Sequence, residues 1–124
     1  MRFNVIGVGE VLWDLLPSGP QLGGAPANFA YHAKALGASA KVVTRIGNDD
    51  FGREIVRRFG EMGIDDDAVQ VDEQAPTGMA SVQLEKAGVP RFIIRDNAAW
   101  DYLVFTEAAQ QAAQVADAVC FGSL

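Results

Sequence analysis

Two short apolar segments, each followed by a helix-like segment that ends at a glycine, organise the first half of the sequence. Residues 3–8 and 40–46 have the apolar and small side chains that are typical of buried strands. Residues 27–36 and 51–62 have apolar side chains at helical spacing, and a glycine follows each segment directly. Strands and helices alternating in this order predict a parallel sheet with helical crossovers, so the expected fold class is α/β.

The second half of the sequence departs from this alternation. Residues 77–85 and 91–95 are strand candidates separated by a turn-like segment with glycine and proline, which predicts a β-hairpin. A hairpin inserted into a parallel α/β pattern often forms an edge flap or a lid. Residues 10–16 either continue the first strand or form a second one. Two further elements are predicted after the hairpin, a helix over 106–115 and a buried strand over 118–121.

Charge and composition argue against several functional classes. The 124 residues include 10 Lys and Arg against 16 Asp and Glu, a formal net charge of −6, whereas a nucleic-acid-binding surface needs clustered cations. The single cysteine, Cys120, excludes an internal disulfide, and the single histidine, His32, excludes the usual zinc sites. No apolar run approaches the roughly 20 residues of a membrane helix, and the first residues lack a signal-peptide pattern. We therefore expect a cytoplasmic protein that binds neither nucleic acid nor membranes.

A glycine-rich segment before the first predicted helix carries the clearest chemical signal. Residues 21–25 are predicted to form a loop. Two glycines in the segment Gly23-Gly24-Ala25-Pro26-Ala27-Asn28 let the backbone approach a ligand closely. The N–H groups at the start of the helix point into the same space, and Asn28 offers both a donor and an acceptor. Because Asp14 can accept hydrogen bonds from vicinal hydroxyls, the combination indicates a hydroxyl-rich ligand. Alternatively, Asp14 is a capping residue and Asn28 belongs to a turn that binds nothing.

A dinucleotide-binding motif is disfavoured. Gly7 and Gly9 have the spacing of the first two glycines of such a motif, but Leu12 stands where the third glycine is needed. A strand rather than a helix is predicted to follow, so the helix N-terminus that holds a pyrophosphate is missing.

The glycine-rich segment resembles the first signature of a known family, the carbohydrate kinases related to ribokinase and fructokinase (the PfkB family). The resemblance extends over all 124 residues. Among the subgroups, Gly9–Asp14 and Arg95–Ala99 look most like fructokinases, with 2-keto-3-deoxygluconate kinases next. The residues that match the family pattern are Gly9-Glu10, Asp14, Gly23–Asn28, Ala30, Gly37, the turn Gly47–Gly52, Gly63 and Thr77-Gly78.

This resemblance implies a ribokinase-like three-layer α/β/α domain with a small β-sheet lid, of which residues 1–124 would be the N-terminal part. The lid strands would lie at about residues 10–16 and 77–95, closing over a sugar. Asp14, Gly24 and Asn28 match positions that hold sugar hydroxyls, and Arg95 matches an arginine at the lid base. The expected substrate-binding residues are therefore Asp14, Gly23, Gly24, Asn28 and Arg95.

A second signature of the family, Asp-Thr-x-Gly-Ala-Gly-Asp, has no match in the sequence. In the family it supplies the anion hole and the aspartate base, and the nucleotide pocket also belongs to the later half of the fold. The intact enzyme is expected to transfer the ATP γ-phosphate to a sugar hydroxyl with Mg²⁺. This chain is expected to hold no catalytic, cofactor-binding or metal-binding residue and to be inactive alone.

Two further expectations follow from the resemblance and from the absence of the second signature. The alternative to a kinase portion is a non-catalytic sugar-binding or assembly module derived from such a kinase. In either case, the lid or the exposed edge near the last strand is expected to mediate a homodimer, because an unpaired apolar edge favours association with another chain.

Overall fold

A computed structural model describes residues 2–122 of the chain. The helices are α1 (Ala25–Ala35), α2 (Asp50–Met62) and α3 (Glu107–Val115), and a 3-10 turn covers Ala99–Tyr102. None of the helices within residues 2–122 is long and apolar enough to cross a membrane. The strands are β1 (Asn4–Val8), β2 (Leu12–Leu16), β3 (Gly19–Gly23), β4 (Ser39–Gly47), β5 (Val69–Asp72), β6 (Gly78–Leu84), β7 (Pro90–Ile94) and β8 (Ala118–Phe121).

The strands form two separate four-stranded sheets. The central sheet has the order β5-β4-β1-β8, and all its neighbouring strands are parallel. The second sheet, which we call the lid sheet, has the order β3-β2-β6-β7. Within the lid sheet only the inner pair, β2 and β6, is parallel, whereas both outer strands run antiparallel to their neighbours. The parallel central sheet and the β6–β7 hairpin were both predicted from the sequence.

Side chains on the two faces of the central sheet enter two different apolar clusters. Val5 and Val42 pack with buried residues of α1 and α2, whereas the adjacent Ile6 and Val43 pack with Ala109 of α3 and its neighbours. Successive side chains of a strand point to opposite faces, so helices cover the sheet on both sides. This arrangement is the expected three-layer α/β/α architecture.

Local capping interactions define the helix ends that the sequence indicated. Asp49 is the N-cap of α2, and its Oδ1 accepts a hydrogen bond from the Gly52 amide at 2.8 Å. Gly63 ends this helix in the left-handed conformation, with φ of 69°. At α3, the Thr106 hydroxyl accepts from the Ala109 amide at 3.1 Å. These caps confirm the predicted boundaries of both helices to within a residue.

Three parts of the sequence prediction were wrong or incomplete. The predicted glycine-rich loop over residues 21–25 is mostly strand β3, which pairs antiparallel with β2 from Leu12↔Gly23 to Leu16↔Gly19. The lid strand expected from residue 10 begins at Leu12, because Glu10 and Val11 lie in the connection between the two sheets. The strand β5 and the 3-10 turn were not predicted at all. Both β3 and β5 are edge strands that exist because a neighbouring strand supplies their hydrogen-bond partners.

Candidate functional site

The candidate site lies at the carboxyl end of β1. From β1 the chain passes to β4 on one side, whereas β8 occupies the other side, so the direction of winding reverses at β1. Open α/β sheets bind ligands outside the carboxyl ends of their strands at such a reversal. Glu10 follows β1 and is buried, with 4% of its surface exposed. The start of α1 packs directly against this segment, and together they form the floor of the site.

Gly24 makes this close packing possible. Its φ of 103° is a conformation that residues with a side chain rarely adopt, and a Cβ atom there would lie 2.5 Å from the carbonyl oxygen of Glu10. As the N-cap of α1, Gly24 offers no side-chain oxygen to the first N–H groups of the helix. Those N–H groups therefore keep donor capacity at the edge of the site.

Asp14 lies beside Gly23 on one face of the lid sheet. A Cβ atom at Gly23 would overlap the Asp14 carboxylate, so only glycine leaves room for the carboxylate in this position. The Asp14 side chain is half-buried, and this burial raises the pKa of its carboxyl group. Within residues 2–122, no Lys, Arg or His side chain forms a salt bridge with Asp14. The carboxylate therefore retains its capacity to accept hydrogen bonds from a ligand.

Asn28 lies one helical turn after Gly24, and its amide donates to the Gly24 carbonyl at 3.0 Å. The residue is exposed, and it also lines a cavity of about 460 Å³ between α1 and α2. Tyr31, His32 and Arg58 share this cavity, whereas Asp14 does not line it. The structure thus brings Asp14, Gly23 and Gly24 together and connects Asn28 to them through the hydrogen bond to Gly24.

Arg95 follows β7 at the base of the lid sheet. Its amide donates to the Met79 carbonyl at 2.8 Å, and its Nη1 donates to the Thr77 carbonyl at 3.3 Å. Because β6 lies between β2 and β7, the backbones at Asp14 and Arg95 are separated by two strand spacings, roughly 10 Å. Arg95 is exposed, and among residues 2–122 it forms no salt bridge with Asp14.

A buried cluster formed by Asp49 and Thr77 was not predicted as a unit. The Thr77 hydroxyl donates to Asp49 Oδ1 at 2.6 Å, its amide donates to Asp49 Oδ2 at 3.0 Å, and its hydroxyl accepts from the Gly47 amide at 3.0 Å. Burial acts to raise the pKa of Asp49, but the hydrogen bonds from Thr77 and Gly52 outweigh it and lower the pKa. Both residues belong to segments that match the family pattern, the Gly47–Gly52 turn and Thr77-Gly78. No local sequence pattern indicates that the two segments are in contact.

A second carboxylate, Asp72, organises the loop that leads from β5 to Thr77. Its oxygens accept from the amides of Ala75 at 2.7 Å and Gln74 at 2.9 Å, and from Arg45 Nε at 2.9 Å. The two amides, followed by the Arg45 guanidinium, lower the pKa of Asp72 to about 2 from its ordinary value of 3.8. The loop is therefore held by an ionised carboxylate.

This lowered pKa predicts a specific loss of stability in acid. Between about pH 4 and pH 2 the unfolded chain binds a proton at Asp72 that the folded chain does not, so the stabilisation present above pH 4 is lost as the pH falls. We expect Asp72→Asn to flatten the decline in the free energy of unfolding over this interval, as measured by urea denaturation at several pH values. Asp50→Asn, which alters a fully exposed side chain, is the control. An unchanged slope in Asp72→Asn would contradict the assignment.

The described residues do not form an evident site for a metal ion. Among residues 2–122, no group of three or more His, Cys, Asp or Glu side chains is arranged to hold a metal.

Comparison with known proteins places the chain among sugar kinases. The family model described as pfkB family carbohydrate kinase matches residues 20–124. Fructokinase-1 of Zea mays is 35% identical over 115 residues, which are 83% of this chain and 36% of that protein. A fructokinase structure from Xylella fastidiosa has a TM-score of 0.79 and 28% identity, over 95% of this chain and 40% of that one. An uncharacterised sugar kinase from Pyrococcus horikoshii in complex with ATP has a TM-score of 0.80 and 28% identity, over 95% and 42% of the two chains.

The extent of these matches confirms the predicted family and fold. The chain spans about a third of the length of the curated relatives that it matches. The fold similarity to the two solved kinase structures extends over 95% of this chain. With a family model that covers residues 20–124 and a ribokinase-like fold shared with solved kinases, the chain belongs to the pfkB family of carbohydrate kinases.

Proposed function

We propose that this chain forms the sugar-binding part and the lid of a fructokinase-like kinase, which transfers the γ-phosphate of ATP to a sugar hydroxyl with Mg²⁺. The observation that carries the proposal is the Asp14 carboxylate, which is half-buried beside Gly23. Within residues 2–122 it has no cationic partner. A carboxylate in such surroundings is stabilised by a ligand that donates hydrogen bonds, as a pair of vicinal sugar hydroxyls does.

The other predicted site residues have complementary roles in this proposal. Gly24 and the uncapped start of α1 bring backbone N–H groups close to the sugar. Asn28 reads one hydroxyl as a donor and another as an acceptor. Arg95 approaches the sugar from the lid base. Closure of the lid sheet excludes water from the site, which protects phosphoryl transfer from competing hydrolysis.

The catalytic step depends on groups outside these 124 residues. Phosphoryl transfer requires positioning and electrostatic stabilisation of the transferred group, and the Asp-Thr-x-Gly-Ala-Gly-Asp signature that supplies both in the family is not in the sequence. We therefore propose that the chain alone binds the sugar without phosphorylating it. ADP formation above background from the chain with ATP, Mg²⁺ and D-fructose would contradict this division of roles.

A chimeric enzyme separates the kinase proposal from its alternative. Residues 1–124 replace the matching portion of Zea mays fructokinase-1, and the remainder of that protein is kept. We expect the chimera to phosphorylate D-fructose, with intact fructokinase-1 as the positive control and Asp14→Asn in the chimera as the negative control. A folded chimera that binds ATP but does not phosphorylate D-fructose would instead favour a sugar-binding or assembly module.

We also propose a homodimer through the lid sheet. The β6–β7 hairpin carries several exposed apolar side chains. The exposed fractions of Leu84, Phe92 and Ile93 are 67%, 57% and 47%, and exposed apolar side chains grouped on one hairpin are typical of an interface. A stable monomer in light scattering at concentrations of about 100 μM, well above the Kd of an ordinary dimer, would contradict this part of the proposal.

A further inference from the structure

Both inner strands of the lid sheet are attached to the first turn of α2. At the start of β6, Thr77 bonds to Asp49, the N-cap of the helix. In β2, Trp13 Nε1 donates to the carbonyl of Phe51 at 3.0 Å, and the two aromatic rings lie 5.9 Å apart. One helical turn therefore holds the two parallel strands at the centre of the lid sheet.

The attachment at Thr77 is buried and tightly packed. Thr77 has no exposed surface, and its hydroxyl and amide both donate to the Asp49 carboxylate. A Cβ atom at Gly52 would lie 2.9 Å from the Thr77 hydroxyl oxygen, so this turn admits Thr77 only because Gly52 lacks a side chain. Hydrogen bonds to an ionised acceptor are stronger than those between neutral groups, and the lowered pKa of Asp49 is consistent with an ionised acceptor here.

Each attached residue is directly connected to a candidate sugar-binding residue. Asp14 follows Trp13 in β2. Arg95 Nη1 donates to the carbonyl of Thr77 at 3.3 Å. The first turn of α2 thus determines where the two sides of the lid, one with Asp14 and one with Arg95, stand relative to each other.

We propose that Thr77, held by Asp49, is a positioning residue that sets the place of Arg95 and of the β6–β7 hairpin over the sugar site. This inference rests on the proposed sugar-binding function. Thr77 itself does not touch the sugar and acts through Arg95 and the lid strands. Loss of its hydroxyl leaves the buried Gly47 amide without its acceptor and removes one of the two donors from Asp49 Oδ1.

The first test measures the lid directly by amide hydrogen exchange. We expect Thr77→Val to accelerate amide exchange of residues 78–84 and 91–94 by about tenfold or more relative to β4, the loss expected for a hydrogen bond to a charged group. Thr77→Ser keeps the hydroxyl and is expected to retain the wild-type rates. Thr106→Val, which removes a capping threonine hydroxyl from α3, is the matched control and is expected to leave the lid rates unchanged relative to β4. Equal lid rates in Thr77→Val and wild type would overturn the proposal.

The second test measures the effect on the sugar. We expect the Kd of D-fructose, measured by calorimetry, to rise about tenfold or more in Thr77→Val and to stay near wild type in Thr77→Ser and Thr106→Val. A faster-exchanging lid with an unchanged Kd would overturn the positioning role while leaving the sugar site intact. Absence of D-fructose binding in the wild type would refute the proposed function, whatever the exchange rates show. If Thr77→Val does not fold, Asp49→Asn provides the same comparison. The asparagine side chain has one oxygen, so it cannot accept the hydrogen bonds from the Thr77 hydroxyl and the Thr77 amide as the two carboxylate oxygens do.

Discussion

Asp14→Asn is expected to weaken D-fructose binding by a factor of about 10 to 100, the range for losing hydrogen bonds to a charged group. The same substitution is expected to leave the free energy of unfolding at pH 7 unchanged or to raise it. These opposite effects have one cause. Burial raises the pKa of Asp14, which means that the ionised form is disfavoured in the folded chain at every pH above the ordinary value of 3.8. The neutral asparagine side chain removes the cost of burying an ionised carboxylate. It also removes the charge that strengthens the hydrogen bonds from the sugar hydroxyls.

Calorimetric titration with D-fructose and urea denaturation measure the two effects on the same preparation. Asp66→Asn, which changes an exposed aspartate in the connection after α2, is the matched control and is expected to alter neither. An Asp14→Asn variant with normal affinity would show that the sugar binds elsewhere. A variant that loses both affinity and stability would identify Asp14 as a structural capping residue, the alternative reading of its position.

Gly24→Ala is expected to lower the free energy of unfolding by at least about 3 kcal/mol, from backbone strain and overpacking combined. The strain arises because φ is 103°, and the overpacking arises because a Cβ atom would lie 2.5 Å from the carbonyl of Glu10. Relief of the overlap requires α1 to move away from the end of β1. We therefore also expect the variant to lose the arrangement of backbone N–H groups beside Asp14.

Gly37→Ala separates the two contributions in Gly24→Ala. Gly37 has a nearly identical φ of 100°, but nothing lies within 4 Å of a Cβ atom built there. Its substitution is expected to cost about 1–3 kcal/mol from strain alone. The difference between the two variants in urea denaturation then measures the contact with Glu10. Equal losses in both variants would show that the start of α1 is not in close contact with the end of β1.

The elements that were predictable from the sequence are those whose signals are local. The α2 helix carries its own cap at Asp49 and its own terminator at Gly63, and both act over a few residues. The strand β4 has enough apolar residues to be recognised as buried in any setting. In contrast, β3 consists of Gly-Pro-Gln-Leu-Gly, which has low intrinsic preference for a strand and forms one only because β2 is beside it.

The candidate site was predictable in its residues but not in its geometry. The glycine-rich segment and Asp14 indicated a hydroxyl-rich ligand, yet the contact between Asp14 and Gly23 depends on the β2–β3 register, which no local pattern specifies. Asp49 and Thr77 are 28 residues apart in the chain, so their hydrogen bonds follow from the packing of the lid against α2. Single-sequence reasoning finds each residue but has no means of pairing them.

Residue-resolved NMR during a titration with D-fructose shows whether the sugar binds beside Asp14 and the start of α1. We expect concentration-dependent shifts of the amide signals at Asp14, Gly23, Gly24 and Asn28, with smaller shifts at Arg95. In Asp14→Asn the same shifts are expected only at D-fructose concentrations about 10 to 100 times higher. D-glucitol, which has the hydroxyl groups but no ring, is the control for non-specific effects. Shifts confined to Tyr31, His32 and Arg58, which line the cavity between α1 and α2, would show that the sugar binds elsewhere. The absence of shifts at D-fructose concentrations of about 100 mM, far above a Kd in the millimolar range, would show that this chain does not bind the sugar.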